Sequence, residues 1–242
     1  LWVTLVSRQH LLMQQGQPSF SLESITGGEN VGRYSFVGVN PRGMVLLKGR
    51  SVTTIDEDGE TTRELAEGED ILHVLKADTS QFKPAYLPGL PRLIGGAVGY
   101  LGYDCVRFFE RLPKTAERVL EIPDAVFLLA DTLVVFDHAR QRLLILANAC
   151  VNGDVEMAYV DAIQRIEQVS QRILRPLPAV PTNNSFGFDP ALDSRDIQSN
   201  KTLDEYKEMI RIAKEYIMAG DIFQVVPSQR LRYTCGYKMR RR

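Results

Sequence analysis

The chain has 242 residues, 44% of them hydrophobic and 24% charged, the balance of a globular protein with enough length for one large domain or two small ones. A net charge of -1, from 29 Lys and Arg against 30 Asp and Glu, sets up no global field for nucleic acid, a membrane surface or an acidic substrate. Cys105, Cys150 and Cys235 lie far apart with no CxxC pair, which excludes a disulfide or zinc framework and points to thiols in a reducing compartment.

The longest apolar runs, such as Ala125–Ala130 and Leu143–Ala147, are too short to span a bilayer, and no charged-then-apolar leader opens the chain. The expectation is a cytoplasmic protein with no nucleic-acid and no membrane partner. Leu1 in the place of Met adds the expectation of a piece of a longer chain.

In chain order, RYSFVGV (Arg33–Val39) is rich in β-formers and closes at the turn signal Asn40-Pro41. MVLLK and SVTTI flank Gly49-Arg50, and DEDGE (Asp56–Glu60) supplies the next turn. EDILHVLKAD reads as a helix with Ile71, Leu72 and Leu75 on one face. LIGGAVGYLGYD (Leu93–Asp104) is a glycine-rich strand whose glycines suit close backbone packing; it matches neither of the glycine-rich phosphate loops. AVFLLADTLVVFDHARQRLLILANA reads as neighbouring strands, the last two joined near His138–Gln141. DVEMAYVDAIQRIEQVSQRIL is an amphipathic helix with Tyr159, Ile163, Ile166, Val169 and Ile173 at helical spacing. Strands in runs with hairpin-length connections, followed by helices, predict an α+β fold with antiparallel β-sheets packed with helices.

The stretch from Arg175 to Asn200 carries Pro176, Pro178, Pro181 and Pro190 among Asn183, Asn184 and Ser185, which is linker chemistry. Beyond it, Thr202 and Glu205 form a capping-box pattern, because the hydroxyl and the carboxylate each satisfy an orphan backbone N–H. Leu203, Tyr206, Ile210, Ala213 and Ile217 fall on one face of the helix that follows, and Gly220 ends it where a positive φ is cheap. A short apolar strand is expected next, with Gln224 standing among Ile222, Phe223, Val225 and Val226.

His10, His73 and His138 are isolated, each a surface or core imidazole rather than a metal ligand. Arg240–Arg242 reads as a solvated tail in a chain of this net charge. No Ser-His-Asp or Cys-His set can be nominated.

Three stretches carry a resemblance: SFSLESITGGENVGRYSFVGVNPRG (Ser19–Gly43), GGAVGYLGYDCVRFFERLP (Gly95–Pro113) and SNKTLDEYKEMIRIAKEYIMAGDIFQVVPSQR (Ser199–Arg230). Together they resemble the anthranilate synthase component I family of chorismate-using enzymes. The resemblance implies an N-terminal domain over residues 1–175, a linker over 176–200 and a truncated chorismate-binding domain starting at 201–242. It also implies that the catalytic half is missing, since the family's chain is about twice as long and its second half holds the chorismate-binding and Mg²⁺-binding groups. No metal ligands are expected in this chain.

The activity implied is conversion of chorismate and ammonia to anthranilate and pyruvate with Mg²⁺. A glutamine amidotransferase subunit, component II, would supply the ammonia, and tryptophan would inhibit by feedback. The family's effector motif falls on Leu22, Glu23 and Ser24, with the basic position at Arg33 beside Tyr34 and Ser35. Glu23 would offset the effector's ammonium and Arg33 its carboxylate. From the charges alone, Glu23 and Arg33 would instead form a surface pair. Gln224 falls where relatives that add water carry a lysine base. Ammonia needs no deprotonation before attack, so a neutral amide that orients groups suffices there. Alternatively Gln224 lies on the solvent face of an edge strand, beside Pro227.

Two rival functions are open. One is the folate-pathway sister enzyme, 4-amino-4-deoxychorismate synthase component I, against which SLES speaks. The other is a non-catalytic tryptophan-binding or partner-docking module, which would have no use for the helix and strand at 201–230.

Overall fold

The computed structural model describes residue 12 and residues 17–23, 32–85, 87–113, 120–176 and 197–232. In chain order the strands are β1 (Phe20–Leu22), β2 (Tyr34–Gly38), β3 (Gly43–Lys48), β4 (Ser51–Asp56) and β5 (Gly59–Glu64). They continue with β6 (Gly96–Leu101), β7 (Ala125–Ala130), β8 (Thr132–Asp137), β9 (Arg142–Ala147), β10 (Gln198–Ser199) and β11 (Leu231–Arg232). The helices are α1 (Ile71–Thr79), α2 (Val155–Leu174) and α3 (Leu203–Ala219), with a 3-10 helix over Tyr103–Phe108. The chain divides into two compact units, Leu1–Pro178 and Ala179–Arg242.

The first unit holds two sheets, a four-stranded one in the order β1-β2-β8-β9 and a five-stranded one in the order β5-β4-β3-β7-β6. Every strand pair is antiparallel. β7 and β8, adjacent in sequence, do not pair as expected. The chain leaves one sheet at Asp131 and enters the other, β7 pairing with β3 and β6 while β8 pairs with β2 and β9. A second crossing, between β2 and β3, runs through Asn40 in a left-handed conformation (φ 46°). The two crossings are tied together, Val39 N–H donating to Thr132 O at 3.5 Å and Arg42 N–H to Leu129 O at 2.9 Å.

Each sheet buries one apolar face under a helix. Val45, Leu47, Val52, Ala125 and Leu129 meet Ile71 and Leu75 of α1 and Cys105 of the 3-10 helix. Val37, Val39 and Val134 meet Val169 of α2 and Leu12, with Phe136, Ile145 and Ile173 around them. The opposite face of the four-stranded sheet gathers Leu133 and Val135 with Phe20, Tyr34, Phe36, Leu144 and Leu146.

Helix ends follow local chemistry. Asp70 caps α1, its Oδ1 accepting from Leu72 N–H (2.8 Å) and His73 N–H (3.0 Å), while His73 Nδ1 accepts from Asp70 N–H at 3.3 Å. His73 is therefore a capping residue. Leu72 is 46% exposed, against expectation, because the buried stripe runs through Ile71, Val74 and Leu75, and one residue on from Ile71 is about 100° round the helix.

On α2, Ala162 and Val169 are the buried residues, whereas Tyr159 is 63% exposed because the first two turns bury nothing. Arg165 pins this helix to the sheet crossing, donating to Asp131 Oδ2 (2.7 Å), Thr132 Oγ1 (3.2 Å) and Asn148 O (2.8 Å).

At β6 the glycines permit close backbone approach. A Cβ on Gly99 would sit 1.8 Å from Val126 O, which no side chain tolerates.

In the second unit, α3 starts at the Thr202–Glu205 capping box and stops at Gly220 with φ 83°. No residue of α3 is buried, and Leu203 on its apolar face is 69% exposed. The strand expected after Gly220 does not form. Residues 222–230 are irregular because they pair with no strand among the described residues, and the two-residue ladder between β10 and β11 follows them. Residues 177–196, the greater part of the expected linker, lie outside the described residues.

Candidate functional site

The residues nominated at the front of the chain converge on one end of the four-stranded sheet. β1 ends there at Leu22, β2 begins there at Tyr34, β8 ends at Asp137 and β9 begins at Arg142. The register pairs Leu22 with Phe36, Tyr34 with Asp137, and Asp137 with Arg142. Directly opposed residues of an antiparallel ladder, and residues two apart along a strand, share a face. Leu22, Tyr34, Phe36, Asp137 and Arg142 therefore lie on the same face.

Asp137 is the centre of this end. Its side chain is fully buried, yet it accepts four hydrogen bonds. Arg33 meets it as a fork, Nε to Oδ1 at 3.0 Å and Nη2 to Oδ2 at 3.1 Å. Arg142 Nε donates to Oδ2 at 3.3 Å, and Arg140 N–H to Oδ1 at 3.3 Å. The Arg33 guanidinium holds the carboxyl down at about 2, against the burial that opposes its ionisation. Two guanidinium groups share this one carboxylate. Both stay partly in water, with Arg33 32% and Arg142 37% exposed.

The Arg33 guanidinium also lies 4.8 Å over the Tyr34 ring, a cation–π distance, and Tyr34 is tilted against Phe36 at 6.0 Å. Behind the cluster, Ser35 Oγ and His138 Nε2 are 2.8 Å apart, and His138 N–H donates to Arg33 O at 2.8 Å. These contacts order the backbone from which Arg33 projects.

The surface pair of Glu23 with Arg33, the alternative that the charges alone suggested, is not made. Glu23 Oε1 accepts from Ser21 Oγ at 2.9 Å, and the ion pair of Arg33 goes to Asp137, 104 residues on. Leu22 is at the edge and exposed. Ser24 lies outside the described residues. Gln224, in the second unit, is exposed within the irregular segment, whose Pro227 carbonyl accepts from Tyr206 Oη at 3.3 Å.

Asp137, Arg140 and Arg142 were not nominated from sequence. The available signal was an acid ending an otherwise apolar strand, in DHARQR, with one arginine inside the four-residue turn and one just past it.

Among the described residues, no group of three or more His, Cys, Asp or Glu is placed to hold a metal ion. Among the described residues, no helix is long and apolar enough to cross a membrane.

Residues 18–240 match the family described as chorismate binding enzyme. The chain belongs to that family. It is 39% identical to anthranilate synthase component 1 of Acetivibrio thermocellus over 212 residues, which is 88% of this chain and 42% of the relative. Against anthranilate synthase component 1 of Synechocystis it is 35% identical over 234 residues, 94% of this chain and 46% of the relative. The fold matches the crystal structure of anthranilate synthase component I from Streptococcus pneumoniae with a TM-score of 0.53 at 22% identity, covering 87% of this chain and 42% of that one. That likeness speaks for the fold, α+β with antiparallel sheets. The chain spans less than half the length of the curated relatives it matches.

Proposed function

We propose that this chain is the N-terminal part of an anthranilate synthase component I. The complete enzyme would convert chorismate and glutamine-derived ammonia to anthranilate and pyruvate in tryptophan biosynthesis, a lyase reaction using Mg²⁺. The observation that carries the reading is the 39% identity over 88% of the chain to a relative of that name. The Mg²⁺ ligands would lie in sequence beyond this chain, and so would the chorismate-binding cations. The 242 residues alone are accordingly expected to turn over no chorismate. The ammonia would come from a glutamine amidotransferase subunit, component II, and the enzyme would work in the cytoplasm.

In this reading tryptophan inhibits at the end of the four-stranded sheet that holds Leu22, Glu23, Arg33 and Tyr34, and Ser24, next in sequence, completes the effector motif. An amino acid with an indole needs an apolar wall and a cation for its carboxylate. Tyr34 and Phe36 supply the first, and the partly exposed guanidinium of Arg33 supplies the second. Gln224 would reach chorismate once its segment joins a sheet in the full-length enzyme. There its amide would orient neutral groups without supplying the base that water needs as nucleophile.

The test is to fuse residues 1–232 to the remainder of the Acetivibrio relative and supply chorismate, ammonia and Mg²⁺. Anthranilate fluorescence, suppressed by tryptophan, is the expected result. Formation of 4-amino-4-deoxychorismate in its place would assign the chain to the folate branch, and tryptophan-insensitive anthranilate formation would remove the effector site.

A further inference from the structure

Asn152 and Gly153 lie in the connection between β9 and α2, and the dipeptide Asn-Gly occurs nowhere else in the chain. We propose that this pair is a site of spontaneous backbone modification, and that its isoaspartyl product releases the N-terminal cap of α2. The chemistry belongs to the first unit alone and is independent of the reaction that the complete protein performs.

The backbone nitrogen of Gly153, once deprotonated, attacks Cγ of Asn152. A C–N bond forms, the side-chain nitrogen leaves as ammonia, and a succinimide ring closes. Water then opens the ring. Opening at the main-chain carbonyl leaves an isoaspartyl link, in which the backbone runs through the former side chain and gains a methylene. Opening at the other carbonyl leaves aspartate. Either product has lost a neutral amide and gained a carboxylate, and water is the only reactant consumed. Asparagine is thermolabile for this reason, and glycine after it sets no Cβ against the attack.

The fold selects this asparagine over the other three that are described. Asn40 is followed by Pro41, which has no N–H to deprotonate. Asn148 is held by its own amide, Nδ2 donating to Ile94 O at 2.7 Å and to Asp131 O at 3.4 Å. Asn200 Oδ1 accepts from Arg230 N–H at 2.7 Å, and the following Lys201 N–H donates to Ser199 Oγ at 3.1 Å. Asn152 and Gly153 are both exposed, outside any helix or strand, and bond no other group among the described residues. A Cβ on Gly153 would meet nothing within 4 Å, so the turn is open on that side.

The position gives the reaction its consequence. Asp154, directly after Gly153, caps α2, its Oδ1 accepting from Glu156 N–H at 2.8 Å and Met157 N–H at 3.2 Å. A methylene inserted ahead of it displaces the chain that delivers this carboxylate to the helix. The first turn has little to hold it in place, since Val155 is 64% and Met157 71% exposed. Further along, Arg165 and Val169 fix α2 to the sheet without help from the cap. The helix therefore frays at its start while the sheet beneath it stays folded. Charge alone would not do this, because a carboxylate near a helix N-terminus is favourable.

The experiment is ageing of the purified 242-residue chain at mildly alkaline pH, beside a synthetic peptide spanning residues 149–156 and the variant Asn152→Gln, whose longer side chain closes the corresponding ring far more slowly. Mass spectrometry of proteolytic peptides reads the replacement of an amino by a hydroxyl group. Methylation by an isoaspartyl methyltransferase with S-adenosylmethionine reads the isoaspartyl form. Asn152 in the folded chain should convert at the rate of the peptide, since an open loop gives no protection, while Asn148 and Asn200 stay intact. Hydrogen exchange of the Glu156 and Met157 amides should rise about fivefold in the isoaspartyl chain and stay unchanged in aged Asn152→Gln. Asn152→Asp, which supplies the charge without the methylene, should leave these amides as protected as in the fresh chain. An intact Asn152 under conditions that convert the peptide would overturn the proposal, as would equal conversion of Asn148 and Asn200. An isoaspartyl chain with unchanged exchange at Glu156 and Met157, or Asn152→Asp with the same loosening, would overturn the uncapping of α2.

Discussion

Replacing Asp137 by Asn tests whether the buried fork is ionic. The substitution keeps the shape and one acceptor but removes the charge that two guanidinium groups share. Breaking one partner out of a buried ion pair costs about 3–5 kcal/mol, and here the cost falls toward the low end because Arg33 and Arg142 are each about a third exposed and rehydrate. The pH dependence gives an independent magnitude. The carboxyl is held at about 2 in the folded chain, below the 3.8 of an unperturbed Asp. A depressed acid pKa stabilises the fold above the unfolded value and stops doing so as pH falls through the folded value. The linkage amounts to roughly 2 kcal/mol at neutral pH, and about half of it is gone by pH 3. Urea unfolding of wild type and Asp137→Asn at pH 7 and pH 3 reads both effects. The gap between the two proteins should be about 2–3 kcal/mol at pH 7 and narrow by about 1 kcal/mol at pH 3. A gap that stays constant across this range would refute the ionic account, since an uncharged hydrogen bond would not titrate.

Three further outcomes follow from the packing. Gly99→Ala should separate β6 from β7 and cost at least about 2 kcal/mol in urea unfolding, because the added Cβ has no room beside Val126 O; a wild-type midpoint would contradict that contact. Cys150 is exposed and should react with a thiol reagent in the native chain, whereas Cys105, with a thiol pushed up by burial and by the nearby Asp124 and Asp104, should stay silent in a variant carrying both Cys150→Ser and Cys235→Ser until the first unit unfolds. Hydrogen exchange should protect the amides of β8 far more than those of α3, by two or more orders of magnitude, since Leu133, Val134 and Val135 are fully buried and α3 buries no side chain; equal protection would mean that α3 has a partner.

What could be read in the sequence was what neighbouring residues decide. The hairpins at Gly49 and Gly59, and the start and stop of α3 at Thr202 and Gly220, are written within four residues of where they occur. The switch of sheets at Asp131 was not legible, because AVFLLA and TLVVFD look alike as apolar strands and only their distant partners in β3 and β2 separate them. Tyr159 and Leu203 lie on helical stripes, but periodicity gives direction and not whether anything covers it. The irregular course around Gln224 has the same cause, since an apolar run becomes a strand only where another strand accepts its hydrogen bonds. The charges alone suggested Glu23 as the ion-pair partner of Arg33, whereas Arg33 pairs with Asp137. The true partner is 104 residues away, and no spacing rule reaches that far.

The charge at the sheet end is as firmly placed as the core, for a reason that lies in β8. Thr132 to Val135 are buried on both faces of that strand, so its register is set by packing and not by the turn that follows. A slip of one residue would turn Val134 and Val135 to the opposite faces, where Leu133 and the α2 side chains leave no space for the exchange. It would also bring Phe136 or His138 opposite Tyr34 and move Asp137 off the Arg33 fork. Such a slip would leave a buried carboxylate without its guanidinium partners, a state that costs several kcal/mol beyond the lost packing (about 3–5). The apolar core and the ionic cluster thus select the same register from opposite ends of β8. That agreement is why a cluster of long, flexible arginines is held at one fixed place, and why substitutions in the middle of β8 should disturb the ion pairs at its end.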